Sequence, residues 1–144
     1  MKVTEAVAPV AQAVTLTDSG ERVLIASFRA ARRTRTLRRL TGVATSASAI
    51  VSLAAVLLAT IGLTRLGAST LSRVDAVQLP TTMLKLPVFT PRFIRMCHRA
   101  GVFVHAWTIN DPVVMRALLE RGVDGLVTDR TDLAAGVVAQ LKVR

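Results

Sequence analysis

The sequence predicts an α/β protein in which helices flank a parallel sheet. The first indication is a unit that occurs twice in the second half of the chain: a capping residue, a proline, an apolar helix, a glycine and an apolar strand. Pro91 and Pro112 are 21 positions apart, and so are Gly101 and Gly122. The second indication is a set of short apolar runs whose length suits buried strands. These patterns fit both a doubly wound sheet and a barrel, and they do not choose between the two.

Five apolar runs are expected to be strands. They cover residues 23–28, 43–47, 75–79, 102–109 and 123–128. A weak helical pattern at 4–16, which Pro9 either interrupts or begins, precedes them, and residues 81–88 are expected to form a loop. A barrel of eight strands takes about 250 residues. A chain of 144 residues with five strands is therefore expected to have open sheet edges.

The positive charge of the chain is concentrated in one region. Residues 29–39 carry six arginines, and no acidic residue occurs between Arg22 and Arg73. Such a run is typical of proteins that bind phosphate-rich partners, either nucleic acid or anionic lipid. The alternative is a helix face exposed to water. No aromatic stacking residue or nucleic-acid motif accompanies the charge, so we favour the solvated face and expect no nucleic-acid partner.

The chain contains 25 uncharged residues between Arg39 and Arg65. Residues 48–63 are expected to be helical, and they are slightly shorter than the about 20 residues that span a bilayer. Small residues lie on one face of this helix, and bulkier ones lie on another. The small stripe comprises Thr45, Ser48, Ser52, Ala55 and Ala59, and the bulky stripe comprises Ile50, Leu53, Leu57 and Ile61. We favour a helix packed through its small face in a cytoplasmic protein over a membrane anchor at residues 45–64.

Two helices in the second half have clear start and stop signals. Thr90 and Asp111 are expected to cap them, because a short polar side chain can accept a hydrogen bond from the first helical turn. Each cap is followed by a proline at the first helical position, where no N–H is needed. Gly101 and Gly122 supply left-handed stops. A last helix is expected after Asp129.

The segment that contains these signals has a specific order of residues. It reads G-V-F-V-H-A-W-T-I-N-D-P and then R-G-V-D-G-L-V-T-D-R. This order resembles the C-terminal signature of the glycerophosphodiester phosphodiesterase family, which typically shows W-T-[VI]-N, a short helix and G-[VI]-D-G-[IL]-[IV]-T-D. Residues 22–28, R-V-L-I-A-S-F, are similar to a strand of that family that ends in Ser-Phe. The resemblance covers nearly the whole chain and the second half of the family's fold.

The resemblance implies the C-terminal half of a (β/α)₈ TIM-type barrel, an incomplete parallel sheet with flanking helices in which residues 1–144 form one partial domain. It also implies a glycerophosphodiester substrate, hydrolysed in lipid metabolism to an alcohol and glycerol phosphate. In the family, the first half carries His-Arg-Gly, an acidic pair and His-Asp, which hold a divalent metal and transfer protons. This sequence contains neither His-Arg-Gly nor His-Asp. We therefore expect no metal site, no catalytic residue and no hydrolysis by this chain alone.

Candidate site residues follow from the strand ends, because side chains at the carboxyl ends of barrel strands face the active site. This position selects Ser27, Phe28, Gln78, Trp107, Asn110 and Asp129. The resemblance implies that Trp107 and Phe28 line the pocket for the glycerol part of the substrate, and packing in the core or at the rim is the alternative for both. Asn110 and Asp129 are expected to fix turns.

The two histidines and the single cysteine are not expected to form a site. His98 lies within a predicted helix and should be exposed, and His105 should be structural, on the same strand face as Trp107. Two histidines with Cys97 are too few for a structural zinc site, and one cysteine excludes an internal disulfide. Two further partners stay open: a second copy that covers the sheet edges of a non-catalytic assembly protein, and a membrane surface.

Overall fold

The computed structural model describes residues 6–27 and 30–142. Its helices are α1 (Val7–Leu16), α2 (Ala30–Leu37), α3 (Ala49–Thr60), α4 (Thr64–Thr70), α5 (Pro91–Arg99), α6 (Pro112–Glu120) and α7 (Thr131–Lys142). Its strands are β1 (Leu24–Ile25), β2 (Ala44–Thr45), β3 (Ala76–Leu79), β4 (Thr82–Met83), β5 (Leu86–Pro87), β6 (Phe103–Ala106) and β7 (Gly125–Leu126). A short 3₁₀ helix, Gly20–Arg22, precedes β1.

Strands β1, β2, β3, β6 and β7 run parallel in chain order. β1 pairs with β2, β3 with β6, and β6 with β7. A parallel bridge between Ser46 and Ala76 joins the two groups, and the N–H of Asp75 donates to the carbonyl of Thr45 at 2.8 Å. The predicted α/β class, with a parallel sheet and flanking helices, is therefore confirmed. Each of the five strands lies within its predicted run and is shorter than the run.

The expected loop at 81–88 contains a β-hairpin instead. Thr82 pairs with Pro87, and Met83 pairs with Leu86, in antiparallel register. The two residues of the turn have φ angles of 50° and 64°, which are values that glycine or asparagine usually adopts in such a turn. Leucine and lysine occupy these positions, so the sequence pattern did not indicate a hairpin.

The apolar segment after β2 forms a 12-residue helix, α3, that is buried on its small side. Ser52, Ala55 and Ala59 face the core, while Ile50 and Ile61 of the bulky stripe are exposed. The predicted packed helix is thus confirmed. The alternative of a span over residues 45–64 is wrong, because this stretch is divided among the end of β2, α3, a turn and the start of α4. Within residues 6–27 and 30–142, no helix has both the length and the apolar character needed to cross a bilayer.

Helices α5 and α6 begin and end where the sequence predicts. Asp111 Oδ1 accepts a hydrogen bond from the N–H of Val113 at 2.7 Å, and Thr90 caps α5 in the same way. Gly101 and Gly122 follow the two helices with φ angles of 71° and 95°. The glycine after each helix therefore turns the chain toward the strand that follows.

The main apolar core lies between the sheet and the helices from α3 to α7. Its largest fully buried side chains include Phe93 of α5 and Met115 of α6. A second, smaller cluster joins α1, β1 and α2; its buried members are Ala11, Val14, Ile25 and Leu40. Most of the side chains in both clusters are aliphatic, which accords with the small number of aromatic residues in the sequence.

Candidate functional site

A cavity of about 330 Å³ opens at the carboxyl ends of β1, β2, β3 and β6. The residues after these strands form its floor and sides, and the start of α3 and the β4–β5 hairpin complete them. Its polar or aromatic lining residues are Ser27, Ser46, Ser52, Gln78 and Trp107. The cavity therefore lies at the end of the sheet where a barrel enzyme binds its substrate.

Three of the strand-end candidates line this cavity: Ser27, Gln78 and Trp107. Two others do not, since Asn110 and Asp129 fasten the ends of β6 and β7 to each other. The Asn110 side chain donates to Asp129 Oδ2 at 3.1 Å and accepts from the N–H of Asp129 at 2.9 Å. Their predicted role in turns is therefore confirmed. Phe28 lies outside the described residues, so its part in the pocket stays a prediction.

Trp107 comes directly after β6 and is half-buried. Its backbone N–H donates to the carbonyl of Leu79 at 3.0 Å, which extends the β3–β6 pairing to the cavity. The peptide bond between Trp107 and Thr108 is cis. An indole in this position offers a ligand a flat apolar surface and one N–H donor.

Two serine hydroxyls that the sequence did not assign to a site also belong to the cavity. Ser46 and Ser52 line it, and each is only 2% exposed. Because a hydroxyl inside a mostly apolar cavity gains from a polar partner, both residues are suited to bind a polar group there.

Positive charge lies next to the part of the cavity that Ser46 lines. Arg33 of α2 donates from Nη1 to the carbonyl of Ser46 at 2.7 Å, and its buried Nε has no partner among the described residues. None of the residues that the structure places in the lining is acidic. The electrostatic environment therefore favours a neutral or anionic group over a cationic one.

His105 lies two residues before Trp107, on the face of the sheet that points toward the cavity. Its Nδ1 is 3.5 Å from Nε2 of Gln78 on β3. On the other side, β7 presents Gly125, where an added Cβ would lie 2.9 Å from His105 Cδ2. The imidazole is thus enclosed between two neighbouring strands, as a structural histidine would be.

This contact predicts the effect of adding one methyl group. We expect Gly125→Ala to destabilise the protein by about 1–3 kcal/mol, because the new Cβ overlaps the imidazole. The free energy of unfolding in urea measures the effect. Gly136→Ala is the matched control, since no atom lies within 4 Å of its added Cβ, and it should be neutral or slightly stabilising in a helix. Equal stability of both variants would contradict the contact.

His98 is exposed, as expected, and it has a partner that the sequence did not indicate. Its Nε2 lies 2.9 Å from Asp124 Oδ2, and this oxygen also accepts the N–H of Val104 at 2.7 Å. Asp75 accepts the N–H of Thr45 at 2.7 Å in the same way. Each aspartate directly precedes a strand and therefore ties the start of that strand to its neighbour in the sheet.

The remaining candidates for metal or nucleophilic chemistry are few. Within residues 6–27 and 30–142, no group of three or more His, Cys, Asp or Glu side chains could hold a metal ion. Cys97 is fully buried, and burial raises the pKa of its thiol to about 12, with a smaller contribution from the Asp124 carboxylate. The thiol is therefore protonated at neutral pH and is a poor nucleophile.

Comparisons with known proteins agree with the residue order and with the fold. A model of the glycerophosphoryl diester phosphodiesterase family matches residues 2–133. A protein of Mycobacterium tuberculosis (strain ATCC 25618 / H37Rv) named "Probable glycerophosphodiester phosphodiesterase 2" is 40% identical over 139 residues, which are 96% of this chain and 53% of that protein. The chain thus spans about half the length of this curated relative.

A solved structure shows a similar fold. It is the crystal structure of a Silicibacter pomeroyi DSS-3 protein assigned to the glycerophosphoryl diester phosphodiesterases, which aligns with a TM-score of 0.69 and 22% identity. The alignment covers 96% of this chain and 45% of that one. Because the family model covers nearly the whole sequence, the chain belongs to the glycerophosphoryl diester phosphodiesterase family.

Proposed function

We propose that this chain forms the second half of a (β/α)₈ barrel and supplies the substrate-binding wall of a glycerophosphodiester phosphodiesterase that acts in lipid metabolism. The observation that carries the proposal is the cavity at the carboxyl ends of four parallel strands, with Trp107 on its wall. In barrel enzymes, substrates bind at this end of the sheet. Residues 1–144 are accordingly proposed to be one partial domain.

The shape of the sheet supports the half barrel. Its parallel strands follow chain order without the reversal of a doubly wound sheet. Among the described residues, β1 pairs only with β2, and β7 pairs only with β6, so each has an open edge. Phe103 and Val127 are exposed on the face that carries His105. Further strands would pair with these edges, and a closed barrel would cover these two apolar side chains.

The lining residues suggest how the substrate is held. The indole of Trp107 would contact the carbon atoms of the glycerol part, and Phe28 is proposed to extend this apolar surface. The hydroxyls of Ser46 and Ser52 would bind the glycerol hydroxyls. Arg33, behind the wall, would favour the negative charge of the phosphodiester. A few polar groups on a mostly apolar surface are the usual means by which a pocket orients a small ligand.

Hydrolysis of the substrate needs more than the cavity lining that this chain supplies. Hydrolysis of a phosphodiester requires that charge on the phosphoryl oxygens is neutralised and that a nucleophile is placed, which a divalent metal does in the family. The described residues do not fit such a metal, since they offer no cluster of ligands. We therefore propose that this chain binds and orients the substrate, and that the metal and the proton-transferring groups are held by the first half of the barrel.

A non-catalytic assembly module is the second candidate. The open edges of β1 and β7 favour it, since unpaired strand edges readily pair with another chain. Such a module would associate through these edges and would not bind glycerophosphodiesters. Ligand binding therefore distinguishes the two functions.

Binding can be measured directly, because Trp107 is the one tryptophan of the chain. We expect glycerophosphocholine to change the fluorescence of Trp107 in a saturable way, and phosphocholine, which lacks the glycerol, to have little effect. Ser46→Ala and Ser52→Ala should each raise the Kd roughly three- to tenfold, as the loss of one hydrogen bond does.

The control for these variants is Ser48→Ala, which removes a buried hydroxyl that is not part of the cavity lining. Its Kd should be unchanged. A saturable change in Trp107 fluorescence with phosphocholine would contradict the proposed orientation of the substrate. An equal rise of the Kd in all three serine variants would contradict it as well.

A further inference from the structure

The connection between β2 and β3 presents four exposed aliphatic side chains, which we call the aliphatic corner. It consists of Leu57, Ile61, Leu63 and Leu66, which are 38%, 68%, 46% and 56% exposed. Gly62, with φ at 88°, turns the chain between the end of α3 and the start of α4. Grouped apolar side chains on a protein surface mark sites that contact another molecule or a membrane.

Arginines border the aliphatic corner. Arg65 is exposed in the first turn of α4. Arg92 of α5 donates from Nη1 to the carbonyl of Thr60, at the end of α3, at 3.3 Å. Arg95 lies one turn further along α5 and, with Arg92, lines a shallow depression beside the end of α3. The corner therefore combines aliphatic surface with at least three positive charges.

Within residues 6–27 and 30–142, no carboxylate forms an ion pair with these arginines. In the sequence between Arg22 and Asp111, the one acidic residue is Asp75. Its carboxylate accepts the N–H of Thr45 at 2.7 Å, at the amino end of β3. Helices α3, α4 and α5 therefore carry no acidic side chain. Aliphatic surface bordered by unneutralised arginines complements an anionic bilayer, whose headgroups attract arginine and whose interface accepts aliphatic side chains.

The aliphatic corner lies at the end of the protein where the cavity opens. Helix α5 starts after the hairpin that follows the carboxyl end of β3, and Arg92 in its first turn touches the end of α3. Further along, Gly67 of α4 lies against Met96 of α5, so the two helices run in the same direction. α3 thus extends from the cavity, which Ser52 lines, to the corner.

A completed barrel would leave the aliphatic corner open. Additional strands would pair with β1 and β7 at the edges of the sheet, whereas the corner belongs to the connection between β2 and β3 in its middle. A second copy of the chain would also bind the aliphatic corner poorly, because the arginines of the two corners would face and repel each other.

We propose that the aliphatic corner docks this protein on the surface of an anionic lipid bilayer. Ile61, Leu63 and Leu66 lie at the level of the headgroups, and the neighbouring arginines face the lipid phosphates. Because α3 has 12 residues, this is attachment to the surface and not a span. The inference does not depend on the proposed hydrolase function, since it rests on a different surface.

The test is co-sedimentation of the full chain with vesicles of phosphatidylcholine alone or of phosphatidylcholine and phosphatidylglycerol in equal parts. We expect binding to the anionic vesicles to exceed binding to the neutral ones about tenfold and to fall with added salt. The variant Ile61→Ser/Leu63→Ser/Leu66→Ser should lose about tenfold or more of this binding. The matched control, Leu16→Ser/Val113→Ser, replaces exposed aliphatic side chains elsewhere and should bind as the unmodified chain does.

A second pair of variants tests the charges. Arg65→Gln/Arg92→Gln should weaken binding to anionic vesicles severalfold, whereas Arg99→Gln/Arg121→Gln, which removes two exposed arginines away from the corner, should have less effect. Thermal unfolding followed by circular dichroism verifies that each variant is folded.

Equal binding by the corner variants and their controls overturns the proposal, and so does equal binding to neutral and anionic vesicles. A dimer in light scattering that the triple variant dissociates also overturns it, because a second copy then covers the corner.

Discussion

Replacement of Trp107 by alanine is expected to weaken the binding of glycerophosphocholine at least about thirtyfold, as the loss of a large aromatic contact in a pocket does. The side chain lies on the wall of the cavity, at the junction of β3 and β6. No other aromatic residue of the described chain lines that cavity. Its removal therefore takes away most of the flat surface against which the glycerol carbons would rest.

Isothermal titration calorimetry measures this effect, because the variant has no tryptophan fluorescence. Trp107→Phe should lose much less affinity, since it keeps an aromatic face. Phe103→Ala is the matched control: it removes an exposed aromatic side chain of the same strand that does not line the cavity. Unchanged affinity in Trp107→Ala, with the fold intact by circular dichroism, would show that the cavity is not the glycerol site.

The parts of the fold that could be predicted are those specified by residues that are close together in the sequence. The helix after Asp111 is an example, because the cap, the proline and the stopping glycine all lie within one short segment. The small face of α3 could also be predicted, since the helical period alone places Ser52, Ala55 and Ala59 on one side. The family could be recognised for the same reason: its signature is a continuous stretch around Trp107.

Other parts depend on contacts that are distant in the sequence. Helix α4 has seven residues, includes a glycine and lacks a side-chain cap, so its local preference for a helix is weak. It is buried at Gly67, where a side chain would meet Met96 of α5. Packing between the two helices, and not local sequence, therefore accounts for α4. The hairpin β4–β5 was missed because its turn lacks the residues that usually adopt positive φ angles.

The candidate site was found only in part for a similar reason. Trp107 was identified because it ends a strand just before a capped helix. Ser46 and Ser52 are small residues in an apolar stretch, and such residues usually pack against a neighbouring element. Their position in the cavity results from how α3 crosses the end of β2, which no local pattern records. The pairing of His98 with Asp124 joins residues 26 positions apart and was missed for the same reason.

The proposed function assigns substrate binding to this chain, and it assigns the metal site and the groups that transfer protons to the first half of the barrel. Phosphodiesters react slowly unless charge on the phosphoryl oxygens is neutralised and a nucleophile is placed. The sequence contains neither His-Arg-Gly nor His-Asp, the motifs that the resemblance assigns to the family's catalytic half. The effect of adding that half should therefore be the largest of all: from no hydrolysis to metal-dependent hydrolysis.

The decisive measurement is an assay of glycerophosphocholine hydrolysis with Mg²⁺, Ca²⁺ or Mn²⁺, by the purified chain alone and after mixing with a separately expressed first half that carries His-Arg-Gly. A first half in which that histidine is replaced by alanine is the control. We expect turnover only in the mixture with the intact first half, and its loss when this chain carries Trp107→Ala. Metal-dependent turnover by this chain alone would contradict the account.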